Sequence, residues 1–331
     1  MTDLYGLADG PLFGLPLPEL WFGLVFAMLA TFLFLDGFDF GAGVVFGLVG
    51  DDETARETVL SAVGPFWDGN EVWLVVFGGA LFAVFPAAYA SLFGRHYLLL
   101  FGVLAALIAR GLAPEMYEQR HDDRWQRWWG HAFVAGSVAA PALLGVFVGD
   151  WVAGTGSFSP AGLVAGPTVV ALTIVSGVAF LRVKTRGALR DRLRPWGERA
   201  LLAYLVGVGA TLVALATTAG RADAVVSPTV AGSVVVSLAL AAGYVVALRR
   251  DRDHAALVAA AGLTVGLVTV VASSLYPTID PASGLTVSEA AVSTLPLNLT
   301  SLGAALLLPL VATYFVVLYS AFAGPARAEG Y

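Results

Sequence analysis

Apolar runs of roughly 20 residues, the length a helix needs to cross a bilayer core, recur along the chain with short polar breaks between them. Nine can be drawn, at roughly 20–47, 60–85, 88–112, 127–149, 161–182, 199–219, 228–248, 255–275 and 299–322. The strict alternation over about ten residues that marks a spanning strand does not occur. The expected fold is therefore an all-α integral membrane protein of about nine transmembrane helices. The runs group as two four-helix bundles, in 1–150 with an acidic cluster and in 151–331, the latter followed by a ninth helix.

Composition agrees. Of 331 residues, 58% are hydrophobic and 13% charged, with a mean hydropathy of +0.81, so the charges are too few to cover a water-facing surface. With the N-terminus placed outside, 16 of the 18 basic residues fall on the cytoplasmic side, leaving Arg95 and Arg221 outside. Cationic residues collect in cytoplasmic loops, and a wrong span count would scramble this alternation. The C-terminus is then cytoplasmic. Trp21 and Trp151 mark outer helix ends, and Trp125, Trp128, Trp129 and Trp196 mark inner ones. Residues 1–19 carry Asp3, Asp9 and Glu19 but no basic segment and no small-residue cleavage site, so no removable signal peptide is expected. The chain has no cysteine, which excludes thiolate metal sites and iron–sulfur ligation within it.

The first three runs carry charge where apolar residues are expected: Asp36 and Asp39 in the first, Asp68 and Glu71 in the second, Arg110 in the third. A charge near the bilayer centre costs at least ~2.5–3.5 kcal/mol on insertion scales, so four such acids in two helices need a reason. At 1.5 Å per residue, Asp36 and Asp39 lie roughly 12–17 Å from the inner end of their helix, and Asp68 about 12 Å from its own. The two pairs reach similar depth from antiparallel neighbours, each spaced so that both carboxyls share a helix face. Asn70 adds an uncharged donor and acceptor beside Asp68, and Glu115 stands at the mouth of the inner half. Burial favours a neutral carboxyl and a nearby guanidinium an ionised one, so such a cluster can hold exchangeable protons. One reading is a hydrated proton path from the cytoplasm; the other is mutual neutralisation that pins three helices together.

Other features suggest less chemistry. Gly37, Gly41, Gly43 and Gly47 form small-residue patterns suited to close helix packing. His121 and His254 belong to cytoplasmic loops, and His96 and His131 to opposite membrane faces. No two histidines stand at matching depth on facing helices, so neither a haem nor a metal is expected in this chain. The glycine-rich stretches carry no phosphate-loop lysine, and neither nucleotide nor nucleic-acid binding is indicated.

The charged segments also carry a resemblance. LDGFDFGAG (Leu35 to Gly43) and GPFWDGNEVWLVVFGGALFAVFP (Gly64 to Pro86) resemble the signature stretches of subunit II of cytochrome bd-type ubiquinol or menaquinol oxidases. The likeness continues through YASLFGRHYLLL, the segment Ala109 to Gly111, the basic loop FLRVKTRGALRDRLR (Phe180 to Arg194) and YPTIDPASGLTVSEAAVSTLPLNL (Tyr276 to Leu299). WDGNEVW is its most specific part, in which Trp67, Gly69 and Trp73 are expected to pack the motif.

The resemblance implies a subunit of an oxidase that takes electrons from the quinol pool and reduces dioxygen to water. It places haems b and d, or b only, in the partner subunit I, and none in this chain. It gives this chain a part in assembly and in a cytoplasm-facing proton path, with Asp36 and Asp68 matching acids given that role and Arg110 a polar neighbour. Some members hold a lipid-soluble quinone in this subunit. The expected setting is the plasma membrane of a prokaryote, among its lipids. Trp151 to Pro160 and the region between runs six and seven are short compared with longer members. A proton- or cation-coupled transporter would also hold acids at mid-depth, but such folds show internal repeats, and the two halves here look dissimilar.

Overall fold

The computed structural model describes residues 7–120 and 122–326; Asp3, His121 and Arg327 lie outside them. Within that range the chain forms thirteen α-helices and no strand. They are α1 (Leu17–Leu48), α2 (Glu53–Val63), α3 (Trp67–Val84), α4 (Pro86–Arg95), α5 (Tyr97–Gln119), α6 (Asp123–Ala153) and α7 (Pro160–Lys184). After them come α8 (Gly187–Thr218), α9 (Ala222–Val225), α10 (Pro228–Arg249), α11 (Asp253–Leu275), α12 (Val287–Ala290) and α13 (Thr294–Ala321).

Eight helices, α1, α5, α6, α7, α8, α10, α11 and α13, are long and apolar enough to cross a membrane. Each answers to one expected run. The run 60–85 differs: its first turns belong to α2, residues 64–66 form a turn, and the helix that continues, α3, has 18 residues. Pro65 explains the break, since it lacks the N–H that would carry the helix's hydrogen bonds onward and its ring crowds the preceding turn. The third run is also interrupted, at His96 between α4 and α5. Conversely α8 begins at Gly187, well before the expected 199, because the Arg- and Leu-rich segment after α7 is itself helical.

The 32-residue α1 is about 48 Å long at 1.5 Å per residue. It is apolar nearly all round, as a helix enclosed by others must be, and it packs against α3, α6, α7 and α11. Contact with α7 is backbone to backbone: a Cβ added at Gly41 would lie 2.7 Å from the Thr173 carbonyl carbon and 2.9 Å from the Gly177 Cα. A second close approach sets the site. A Cβ at Gly136 on α6 would lie 2.6 Å from the Ala106 oxygen and 2.7 Å from the Arg110 nitrogen of α5, so α6 presses directly on the turn that carries Arg110. Of the other glycines expected to pack, Gly43 faces Ser137 and Gly47 faces Val134, whereas Gly37 makes only an ordinary contact with Thr173.

Loops at the α6 end are tied by polar side chains. Buried Asp150 accepts from the Phe158 and Ser159 nitrogens at 2.8 and 2.9 Å. Trp151 Nε1 donates to the Ile279 carbonyl at 2.7 Å. Asp280, also buried, accepts from Ser91 at 2.7 Å and pairs with Arg95 at 3.1 Å. Its carboxyl is pushed up by burial, but donation from Arg95, Ser283 and Ser91 outweighs that and holds it below the ordinary value.

Candidate functional site

The break at residues 64–66 starts a fresh helix beside the middle of α1, and its first turn holds Trp67, Asp68, Gly69 and Asn70. Asn70, buried, points at α1: its Nδ2 donates to Asp39 Oδ2 at 2.8 Å and reaches the Leu35 carbonyl at 3.4 Å. From α5, the buried Arg110 guanidinium enters the same space. It lies 2.8 Å from Asp36 Oδ1, 3.7 Å from Asp39 Oδ2 and 3.4 Å from Glu71 Oε2. Its flat face covers the Phe40 ring at 4.6 Å, with Trp67 at 5.9 Å, so the cation is held by aromatic faces and carboxylates together.

The cluster thus joins Asp36, Asp39, Glu71, Asn70 and Arg110, three acids against one cation. Asp36 Oδ2 and Asp39 Oδ1 are buried without a hydrogen-bond partner among the described residues. Asp68 is not brought in. It is exposed, and the reason is helical phase: residues two apart on an α-helix lie on nearly opposite faces, so Asn70 facing α1 turns Asp68 away. Its place in the first turn of α3 suits an acid, which the positive end of the helix dipole favours.

Trp67 lies against Gly111 of α5, where an added Cβ would meet its ring at 3.3 Å, and Gly69 faces Leu318 and Phe315 of α13. Trp73 stands 5.8 Å from Phe315, ring centre to ring centre. Two functional candidates escaped sequence reasoning. Tyr319 of α13 donates to Asn70 Oδ1 at 2.9 Å and stacks on Phe66 at 4.6 Å, which extends a hydrogen-bonded chain from Asp39 through Asn70 to α13. Glu118 joins Glu115 in the wall of a cavity of about 80 Å³ that Asp39, Gly64, Trp67, Arg110 and Pro114 also line. A water needs about 10–15 Å³ of such space and polar partners, so this cavity has room for several between the exposed Glu115 and Glu118 and the buried cluster.

The chemistry this permits is proton movement. Glu115 and Glu118 at the surface and Asp39, enclosed among the helices, line one partly polar cavity, and no nucleophile with an adjacent base stands there. Among the described residues no group of three or more His, Asp or Glu could hold a metal ion. Histidine placement does not suit a haem either. His96 is buried with Nδ1 2.9 Å from the Leu92 carbonyl and its ring edge-on to Phe147, whereas His131 and His254 are exposed.

Residues 17–322 match the family described as cytochrome bd terminal oxidase subunit II. The chain belongs to that family. It is 30% identical over 315 residues to the cytochrome bd ubiquinol oxidase subunit 2 of Bacillus subtilis, covering 89% of this chain and 92% of that one. It is 34% identical over 204 residues to the cytochrome bd-I ubiquinol oxidase subunit 2 of Escherichia coli, covering 56% of this chain and 54% of that one. A chain of the bd oxidase structure from Geobacillus thermodenitrificans shares the fold, with a TM-score of 0.77 at 18% identity over 92% of this chain and 98% of that one. As a bd oxidase subunit II, the chain is a multi-pass membrane protein and part of a quinol oxidase, an oxidoreductase complex of the respiratory chain. Family membership replaces the transporter reading.

The apolar cavity between α1, α6, α7, α8 and α11 holds about 60 Å³. A dry cavity of about 150 Å³ takes benzene, so a quinone ring does not fit this one as it stands, and no bound quinone is proposed for it.

Proposed function

We propose that this chain supplies a proton path to the haem-bearing subunit I of a bd-type quinol oxidase in a prokaryotic plasma membrane and supports that subunit's assembly. What supports the path is one observation: a partly polar cavity runs from Glu115 and Glu118 to Asp39 and Arg110, members of a buried cluster in which Asp36, Asp39 and Glu71 outnumber that single cation. Protons enter at the two glutamates, cross the cavity to Asp39 and Asp36, and pass to Glu71, which is half-buried at the edge of the cluster. Asp68, one turn before Glu71 on α3, hands them to the partner. Reduction of dioxygen consumes protons, and no bare ion crosses hydrocarbon cheaply, so the complex needs such a route. The haems, b and d or b only, belong to subunit I and supply the electron chemistry when bound there.

The exposed row Asp68, Val72, Val75, Gly79 and Phe82 on α3 is the proposed seat of that subunit. An exposed acid at the end of an apolar stripe is costly against lipid and suits a protein neighbour that offers it a polar partner. The two bundles, 1–150 and 151–331, are proposed as units that meet along α1, α6 and α7.

The test is affinity purification from the native membrane with an optical spectrum of the product. A co-purifying second subunit with reduced b-type bands, with or without a d-type band, is expected. A colourless chain that comes without a partner and moves a solute in vesicles would overturn the reading.

A further inference from the structure

A second polar cavity, unconnected with the acidic cluster, opens where α7 and α10 end and α8 and α11 begin. Of about 380 Å³, it is lined by Arg186, Arg190, Asp251, Arg252, Asp253 and His254 among others. Its carboxylates are already engaged. Asp253 gives one oxygen to Arg182 Nε at 2.9 Å and the other to Arg190 Nε at 2.7 Å. Asp251 pairs with Arg182 at 2.8 Å and Arg190 at 3.2 Å. Arg190 also pairs with exposed Asp191 at 3.6 Å, so Arg182 and Arg190 meet three aspartates, and the cavity's remaining cations are Arg186 and Arg252, neither in an ion pair among the described residues.

Arg186 is held in place, its Nη1 donating to the Val183 and Thr185 carbonyls at 2.9 and 2.8 Å, which leaves Nη2 and Nε without a partner among the described residues. The Arg252 guanidinium has no hydrogen bond or ion pair among the described residues. These two arginines are also the N-cap residues of α8 and α11, and neither helix start is closed by a side-chain oxygen. By contrast Asp52, Asp122, Ser159 and Ser227 close α2, α6, α7 and α10. Unclosed helix starts add backbone N–H groups and a positive dipole end to the arginines.

Location argues for a lipid. The cavity lies at the ends of four helices that can span a membrane, which is headgroup level. Directly below His254 on the same face of α11, exposed Val258 and Val265 form an apolar track toward the membrane middle. We propose that this cavity binds the phosphate headgroup of an anionic phospholipid through Arg186 and Arg252, with an acyl chain along Val258 and Val265. Basic pockets between spanning helices are built for such headgroups.

The test uses the purified oxidase complex in nanodiscs of phosphatidylcholine, titrated with phosphatidylglycerol and read by native mass spectrometry. Arg186→Gln with Arg252→Gln is expected to lower retained phosphatidylglycerol by roughly tenfold or more, with turnover in phosphatidylcholine unchanged. Val258→Gln is expected to lower retention as well. Equal retention by the wild type and the double variant would overturn the site. Displacement of the lipid by millimolar inorganic phosphate would overturn the lipid assignment in favour of a free anion.

Discussion

Removing the Arg110 guanidinium tests how the buried cluster is held. In Arg110→Met the side chain keeps its apolar length but leaves Asp36, Asp39 and Glu71 without their cation, formerly at 2.8, 3.7 and 3.4 Å. Breaking a buried pair from one side costs about 3–5 kcal/mol. Taking up a proton caps the loss, because neutralising an ordinary carboxyl at pH 7 costs about 4 kcal/mol. A destabilisation of about 3–4 kcal/mol is expected. Asp36→Asn alone removes one partner while Arg110 keeps the other two, so about 1–2 kcal/mol is expected there. The double variant removes both the cation and one surplus acid, and it recovers about 2 kcal/mol relative to the sum. Denaturation of the purified complex, followed by intrinsic fluorescence, measures all three. Additivity within about 0.5 kcal/mol, the behaviour of sites that do not touch, would refute the pairing.

Three further perturbations follow from particular contacts. Gly41→Val drives a side chain into the Thr173 backbone and is expected to cost at least about 1–3 kcal/mol, seen as lost yield of assembled complex; normal yield would mean that α1 and α7 are not so close. Tyr319→Phe keeps the stack on Phe66 but loses the bond to Asn70, so about 1 kcal/mol is expected in the same fluorescence assay, and no change would sever α13 from the chain of bonds. Asp280 has a lowered folded pKa, so its contribution is present above the unfolded value of about 3.9 and is lost as pH falls through the folded one. Amides of residues 277–290 should therefore exchange faster only below about pH 4; protection that is flat with pH would contradict this.

How far the sequence reached depends on which signal each feature leaves. Asp36, Asp39 and Arg110 were legible because a charge inside an apolar run stands out whatever surrounds it. Eight of the nine expected spanning helices were legible from run length, but the break at residues 64–66, which divides the ninth run, needed Pro65 to be weighed above the apolar pattern around it. Asp68 was grouped with the buried acids by its spacing to Glu71. That spacing fixes a shared face without saying which face meets α1, and Asn70 took it. Tyr319 left no signal, since a tyrosine in an apolar helix looks like any other aromatic until its hydroxyl finds Asn70. Glu118 is one acid among several near a loop, and only the cavity beside Arg110 distinguishes it.

The central claim is the proton path, and oxygen consumption by variant complexes tests it most directly. Asp39→Asn retains the shape that meets Asn70, and Asp68→Asn leaves the α3 surface nearly unchanged, so haem content and assembly should stay normal. Quinol-driven turnover is expected to fall by about tenfold or more in each. Normal turnover in both, with normal haem content, would contradict the path and leave the cluster as a device that pins α1, α3 and α5 together.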